Sequence, residues 1–314
     1  MPTNIVAILD SATPEGRGEE LDGFFKGLAS VGVDGQDTCI LYVWANNDYT
    51  RLPALAQELI NNNNVKVIVA AGGPVSALEA AKLTTTKPII FTTVTNPITS
   101  ALALDMNSPG KNLTGTFGHT TELDEARLRA ICDLTGSGTI GILANPNRPH
   151  PINADPFNQK TGLEAKAQAL GRTAIVLDAG SDSQLAGAAA ALNGISGLVV
   201  TADPFFNSRR AQVVALAANL GVPAIYQWSG FVTAGGLMSY GPDKAEGYRN
   251  AGEFAGRIVK QGAQPANLPV RETNSFALVI NDAVASSLNL NTSGPAFTQM
   301  ISNLGVTDIR HIPG

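Results

Sequence analysis

Charge is scarce in this sequence. Of its 314 residues only 15 % are Asp, Glu, Lys or Arg, the formal net charge is −5, and no basic run is longer than the pair Arg209–Arg210. Proteins that hold nucleic acid neutralise phosphates with clustered Lys and Arg, and without such a footprint that class of partner is set aside. Long apolar runs are missing too. The longest, such as Val65–Ala71 and Ile195–Thr201, have the length of strands and fall far short of the roughly 18–20 residues that cross a bilayer. Cysteine is nearly absent: Cys39 and Cys132 stand far apart with no CxxC or metal-ligand spacing, so buried free thiols are expected, and a disulfide between them stays open. Only three histidines occur, His119, His150 and His311, each in or beside a polar or Gly/Pro-rich loop. No HExxH, GxSxG or P-loop pattern is present, and no GxGxxG follows a strand. The sequence therefore asks for no catalytic residue, no metal and no cofactor, and a non-enzymatic protein is expected.

What the sequence does contain is a repeating unit: a short β-branched run, a polar or Gly/Pro loop, then an Ala/Leu-rich helical stretch. Ile5–Asp10 leads to Gly18–Val31, Thr38–Trp44 to Leu52–Asn61, and Val65–Ala71 to Pro74–Leu83, with Pro88–Val94 following. The pattern resumes with Thr139–Ala144 and Asp155–Leu170, Thr173–Asp178 and Ser183–Leu192, Gly197–Thr201 and Ser208–Leu220, and Ala224–Trp228. Strands apolar on both sides that alternate with helices indicate parallel sheets covered on both faces, wound by right-handed crossovers. The restart predicts two doubly wound, Rossmann-like α/β lobes, with a ligand cleft between them. Candidate crossings lie between Val94 and Thr139, at Ala234–Gly241 and at Pro269–Ile280. Three crossings make the lobes discontinuous and their junction a multi-strand hinge: lobe 1 from 1–118 plus about 242–270, lobe 2 from about 119–241 plus 271–314.

Ligands of open parallel sheets collect at the carboxyl ends of the strands. In the first set, Asp10-Ser11-Ala12-Thr13 offers hydroxyls, and Gly72-Gly73-Pro74-Val75-Ser76 puts two glycines and a helix-opening proline where backbone N–H groups can meet an anion. A plain strand-to-helix turn would have the same composition. Thr93, Thr95 and Asn96 close the fourth strand with neutral polar groups. The second set supplies Asn145 and Asn147, then Asp203, whose carboxylate could receive an ammonium group or cap the next helix. Phe205, Phe206, Tyr226, Trp228 and Phe231 concentrate five of the eighteen aromatics in two loops, as an aromatic-walled pocket would, and core packing would account for part of them.

Six motifs in order carry a resemblance: Trp44 with Tyr49-Thr-Arg-Leu-Pro-Ala-Leu-Ala56, Val67–Pro74, Pro109–Gly115, Asp203–Arg210, Val222–Tyr226 and Gly235–Gly241. Over roughly residues 5–292 the chain resembles the ABC-transporter substrate-binding family, whose members have the type I periplasmic-binding-protein fold. The resemblance implies a solute-binding component of an ABC importer that closes on an amino acid, notably an aromatic one, or a related carboxylate. It implies a membrane permease with its ATPase as partner, a monomer, and an extracytoplasmic location. The chain opens Met1-Pro-Thr-Asn without a basic or apolar leader, which alone reads as cytoplasmic and beside the resemblance as a mature chain whose signal has been removed. Gly73, Pro74, Val75 and Ser76 would hold the ligand carboxylate and Asp203 its ammonium, with Thr93, Thr95, Asn96, Asn145 and Asn147 lining the cleft. Asn96 and Gln227 depart from the family, which often carries Asp and Glu there, and both changes remove negative charge. The runner-up is a ligand-sensing module of a receptor or LacI-type regulator without its output domain, and an α/β enzyme working at a strand edge is the third class.

Overall fold

The computed structural model describes residues 4–34, 38–93, 95–118, 120, 123–147 and 159–313. His119, His150 and the start of the helix expected at Asp155–Leu170 lie outside them. The chain forms two compact units, one from residues 4–118 and 243–274, the other from 120–147, 159–242 and 275–313.

In the first unit β1 (Asn4–Asp10), α1 (Gly18–Ser30), β2 (Thr38–Trp44), α2 (Leu52–Asn61), β3 (Val65–Ala71), α3 (Pro74–Leu83), β4 (Ile89–Thr93) and β5 (Leu113–Phe117) follow one another. In the second come α4 (Asp124–Thr135), β6 (Thr139–Ala144), α5 (Gln159–Ala169), β7 (Thr173–Asp178), α6 (Asp182–Ala191) and β8 (Gly197–Val200). Then α7 (Pro204–Ser208), α8 (Arg210–Leu220), β9 (Ala224–Tyr226), α9 (Ser229–Thr233) and β10 (Met238–Pro242) complete that run. The chain returns to the first unit as α10 (Lys244–Gln261) and β11 (Arg271–Glu272). It ends in the second with β12 (Phe276–Asn281), α11 (Asp282–Ser287), α12 (Pro295–Leu304) and β13 (Asp308–Ile312).

The first sheet is ordered β11-β5-β4-β3-β1-β2 and every pairing in it is parallel. The second is ordered β13-β12-β10-β9-β8-β6-β7, with β10 and β12 antiparallel and the rest parallel. The doubly wound reading holds for both. Met238–Pro242 is a buried strand of the second sheet, and the chain passes to the first unit directly after it, at the end of the expected crossing Ala234–Gly241. The helix expected at Ser208–Leu220 is α8, preceded by the short α7 that Asp203 caps. The tail forms an edge strand, β13, whose Arg310 and His311 are exposed, so it lacks the apolar run that marks the inner strands.

Strand geometry sends alternate side chains of β1 to opposite faces. Ala7 and Leu9 join Leu52, Ala56, Ala77 and Ala80 on the α2–α3 side, while Val6 and Ile8 join Phe24, Leu28, Ala251 and Phe254 on the α1–α10 side. The second side is closed by a helix that arrives more than two hundred residues later in the chain. α1 and α10 approach backbone to backbone. A Cβ on Gly27 would lie 2.0 Å from the Arg249 carbonyl oxygen, and one on Gly252 would lie 2.1 Å from that of Phe24. Side-chain contacts at such distances cannot be relieved by a rotamer change, so the helices would have to part.

Gly27→Ala and Gly252→Ala should each destabilise the protein by roughly 1–3 kcal/mol, the usual cost of overpacking, although Ala in place of Gly ordinarily favours a helix by about 1 kcal/mol. Chemical denaturation reads the difference. An unchanged or raised midpoint would mean that the two helices have room to move apart.

Candidate functional site

In the first sheet the winding reverses between β1 and β3, which places their carboxyl ends at the switch point where such sheets bind ligands. The loops that leave these two strands are tied together. The Ser11 hydroxyl donates to the Gly72 carbonyl oxygen at 2.7 Å, and the Ser11 N–H to that of Ala71 at 3.3 Å. Gly72 has φ 78° and Gly73 φ 112°, left-handed values that favour glycine. At Gly72 space forbids a side chain as well: a Cβ would lie 2.3 Å from Ser11 Oγ and 2.4 Å from Asp10 Oδ1. At Gly73 nothing lies within 4 Å of the same point, so the backbone faces open space immediately before α3. Pro74 opens that helix without leaving an N–H unused. Ser76, in its first turn, is fully buried, and its hydroxyl has no partner among the described residues.

Other polar groups at this edge are committed to shaping loops. The Thr95 hydroxyl shares hydrogen bonds with those of Thr93 (3.2 Å) and Ser100 (2.9 Å), and Asn96 Oδ1 accepts from the Ile98 N–H.

Beneath the switch point lies a cluster that sequence reasoning missed. Arg17 and Glu20 are both buried. Arg17 donates to Asp10 Oδ1 at 2.8 Å and contacts Glu20, which also pairs with Lys244 at the start of α10. Two carboxylates thus face two cations. Burial would raise the Glu20 pKa, but Lys244 and then Arg17 outweigh it and lower the value from 4.5 to about 2. Burial likewise opposes the Arg17 charge, and Asp10, followed by Tyr248 and Glu20, overcomes it. Burial pushes the Tyr248 phenol up, and its hydroxyl bonds to Thr92. No spacing in the sequence marks this group, because Lys244 and Glu20 are 224 residues apart.

In the second sheet the winding reverses between β6 and β8. Asn145, just past β6, donates from Nδ2 to Asp203 Oδ1 at 2.9 Å, just past β8. The same oxygen accepts from the Phe205 N–H at 2.8 Å, so Asp203 is the cap of α7. Asn145 Oδ1 accepts from the Asn147 N–H, and Asn147 donates from Nδ2 to the Gly180 carbonyl oxygen. The two asparagines therefore hold the loops after β6, β7 and β8 in one arrangement.

The aromatics divide. Tyr226 is fully buried and stacked on Phe231 with centroids 4.9 Å apart; burial pushes its phenol up, and the hydroxyl has no partner among the described residues. Phe205 lies edge-on to Phe206 with the Arg209 guanidinium 5.5 Å from its centroid. Trp228 is buried at the start of α9. Next to it, Gln227 is fully buried, and neither its amide oxygen nor its amide nitrogen has a partner among the described residues.

Among the described residues no group of His, Cys, Asp and Glu side chains is placed to hold a metal ion. The family described as ABC transporter substrate binding protein matches residues 5–296. The chain belongs to that family. This substrate-binding protein is 27 % identical over 275 residues to the tyrosine-binding protein of Clostridioides difficile strain R20291, covering 85 % of this chain and 76 % of that one. Its fold is similar to that of the ABC domain from Streptococcus pneumonia in complex with L-Trp (TM-score 0.79, 22 % identity, 98 % and 100 % of the two chains). It is also similar to a conserved domain protein from Vibrio cholerae O1 biovar El Tor strain N16961 (TM-score 0.80, 21 % identity, 98 % and 100 %). The fold is thus that of type I periplasmic binding proteins, as the six motifs implied. The family is one of extracytoplasmic solute-binding proteins rather than enzymes, with small-molecule ligands and membrane transporters as partners. No helix among the described residues is long and apolar enough to cross a membrane.

The buried ion cluster has a measurable consequence. Glu20 binds its proton less tightly folded than unfolded, so its stabilising contribution is complete above about pH 4.5 and is lost as the pH falls toward 2. The full shift corresponds to about 3 kcal/mol as an order of magnitude. Glu20→Gln should lower stability at neutral pH and flatten the decline between about pH 5 and 2, as followed by urea unfolding. An acid limb as steep as that of the parent protein would place the charge dependence elsewhere.

Proposed function

We propose that this protein captures an amino acid, with aromatic ones foremost, or a related carboxylate, by closure of its two units, and delivers it to a permease driven by an ATPase for import. The observation that carries the reading is the first turn of α3. There a glycine pair at positive φ, a proline and the buried Ser76 hydroxyl, which has no partner among the described residues, coincide at a switch point. The positive end of a helix, with its first-turn N–H groups and a hydroxyl that can donate, favours a carboxylate over a cation. The second unit supplies the opposite charge in Asp203. Thr93, Thr95, Asn96, Asn145 and Asn147 contribute chiefly by fixing the loops, with Ser11, Pro74 and Val75 shaping the α3 entry and Phe205, Tyr226 and Trp228 giving the apolar surface. Relatives that bind tyrosine or carry L-Trp support the ligand class.

A thermal-shift series over the L-amino acids tests the class, since a ligand that binds only the folded state raises the melting temperature. Isothermal titration of two variants with the best ligand then tests the residues. Asp203→Ala should cost about 2–5 kcal/mol of binding, roughly 30-fold to several thousand-fold, if the carboxylate meets an ammonium in a desolvated site. It should cost the fold only the 0.5–2 kcal/mol or so of a lost cap. Ser76→Ala should weaken binding by about tenfold with little change in melting. Normal binding by an early-melting Asp203→Ala would reduce Asp203 to its capping role, and a series without any shift would remove amino acids as the ligand class.

A further inference from the structure

Gln227 is a polar side chain whose position the hydrogen bonds of the loops do not explain. It is fully buried, one residue past β9, and both ends of its carboxamide lack a partner among the described residues. Native proteins rarely bury a group in this way, because each unsatisfied donor or acceptor costs about 1–3 kcal/mol. Its place is fixed by its neighbours. β9 and β8 pair with Val199 opposite Ile225, and β8 and β6 with Val200 opposite Leu143. The residues leaving these strands, Gln227, Asp203 and Asn145, therefore share one edge of the sheet. Its backbone is packed against β10, where a Cβ on Gly241 would lie 2.0 Å from the Gln227 carbonyl oxygen.

The contrast with its neighbours is chemical. Asn145 and Asn147 spend their amides on loops, through Asp203, the Asn147 N–H and the Gly180 carbonyl. The Gln227 amide has no partner among the described residues and stands beside Trp228, at the edge where Asp203 sits.

We propose that Gln227 is the specificity-determining residue of this binding protein, its carboxamide reading a neutral group on the ligand that both donates and accepts hydrogen bonds. The inference rests on the amino-acid reading and deepens it. A ligand ammonium can serve only the amide oxygen and a carboxylate only the amide nitrogen, which leaves the other end stranded. A hydroxyl or a second carboxamide offers both functions. A site built around such a pair rejects an isostere that lacks the polar group, because the buried amide is then left unsatisfied in the complex.

Two pairs of probes separate the two possible sources of that group: L-tyrosine with L-phenylalanine for a hydroxyl, and L-glutamine with L-methionine for a carboxamide. In the parent protein one polar member should bind at least about tenfold more tightly than its apolar counterpart. Gln227→Met, nearly isosteric and apolar, should bring that ratio within about threefold. It should also raise the melting temperature of the ligand-free protein by roughly 1–4 °C, since an orphaned amide is replaced by a packed thioether. Should that variant fail to fold, Gln227→Leu reads the same two quantities. A lower melting temperature would mean that the amide supports the fold, and the inference would fall. Binding with no preference within either pair would also overturn it while leaving the amino-acid reading intact. No binding by any of the four, together with no thermal shift from the other amino acids, would overturn that reading and this inference with it.

Discussion

The first unit depends on the contact between α1 and α10. The two helices meet without side chains between them at Gly27 and Gly252, and together they cover the face of the first sheet that carries Val6 and Ile8, with Phe24 of α1 packed on it. The same approach brings Lys244 to Glu20 and Tyr248 to Thr92, so the buried charges are neutralised only when the helices are docked. A buried ion pair is weak evidence of net stability, since desolvation offsets much of the attraction. Its value here is positional. Asp10, at the end of β1, is held by Arg17 and lies against the loop in which Gly72 and Ser11 are tied together. The turn into α3 thus takes its shape from a helix encoded near the other end of the chain.

A second regularity runs through both switch points: most of their polar side chains are occupied with one another. Ser11, Asn145, Asn147 and one oxygen of Asp203 bond to a neighbouring loop, and Thr95 and Asn96 bond within their own. Rigid loops raise affinity by lowering the entropy lost when a ligand is immobilised. Among the described residues the groups left over there include the Ser76 hydroxyl, the Tyr226 hydroxyl and the Gln227 amide, all buried. A site with few uncommitted groups discriminates by whether each of them is satisfied.

Much of the fold was legible in the sequence because parallel strands buried on both faces leave unmistakable apolar runs, as at Val65–Ala71. Residues that act through backbone geometry were legible for a similar reason: Gly72, Gly73 and Pro74 announce a positive-φ turn and a helix start wherever they occur. Asp203 announced itself as a cap and is one. Strand β13 did not show, since its three central residues, Ile309, Arg310 and His311, are exposed and it carries no apolar run. The Asp10–Arg17–Glu20–Lys244 cluster was invisible because its partners come together only through the α1–α10 contact. Gln227 was noticed as a departure in charge, but nothing local to the sequence says that its amide is buried and unspent.

The return of the chain to the first unit after residue 242 bears on the order in which the protein can be made. A ribosome that has released the first 118 residues has delivered five strands of the first sheet but not the helix that covers its Val6–Ile8 face, nor the strand that borders β5. That face stays uncovered while the whole central portion of the second unit is synthesised. The second unit waits in turn for Phe276–Asn281, the antiparallel neighbour of β10. A fragment that ends before residue 243 therefore lacks part of both units, whereas one that ends near residue 274 lacks part of the second alone.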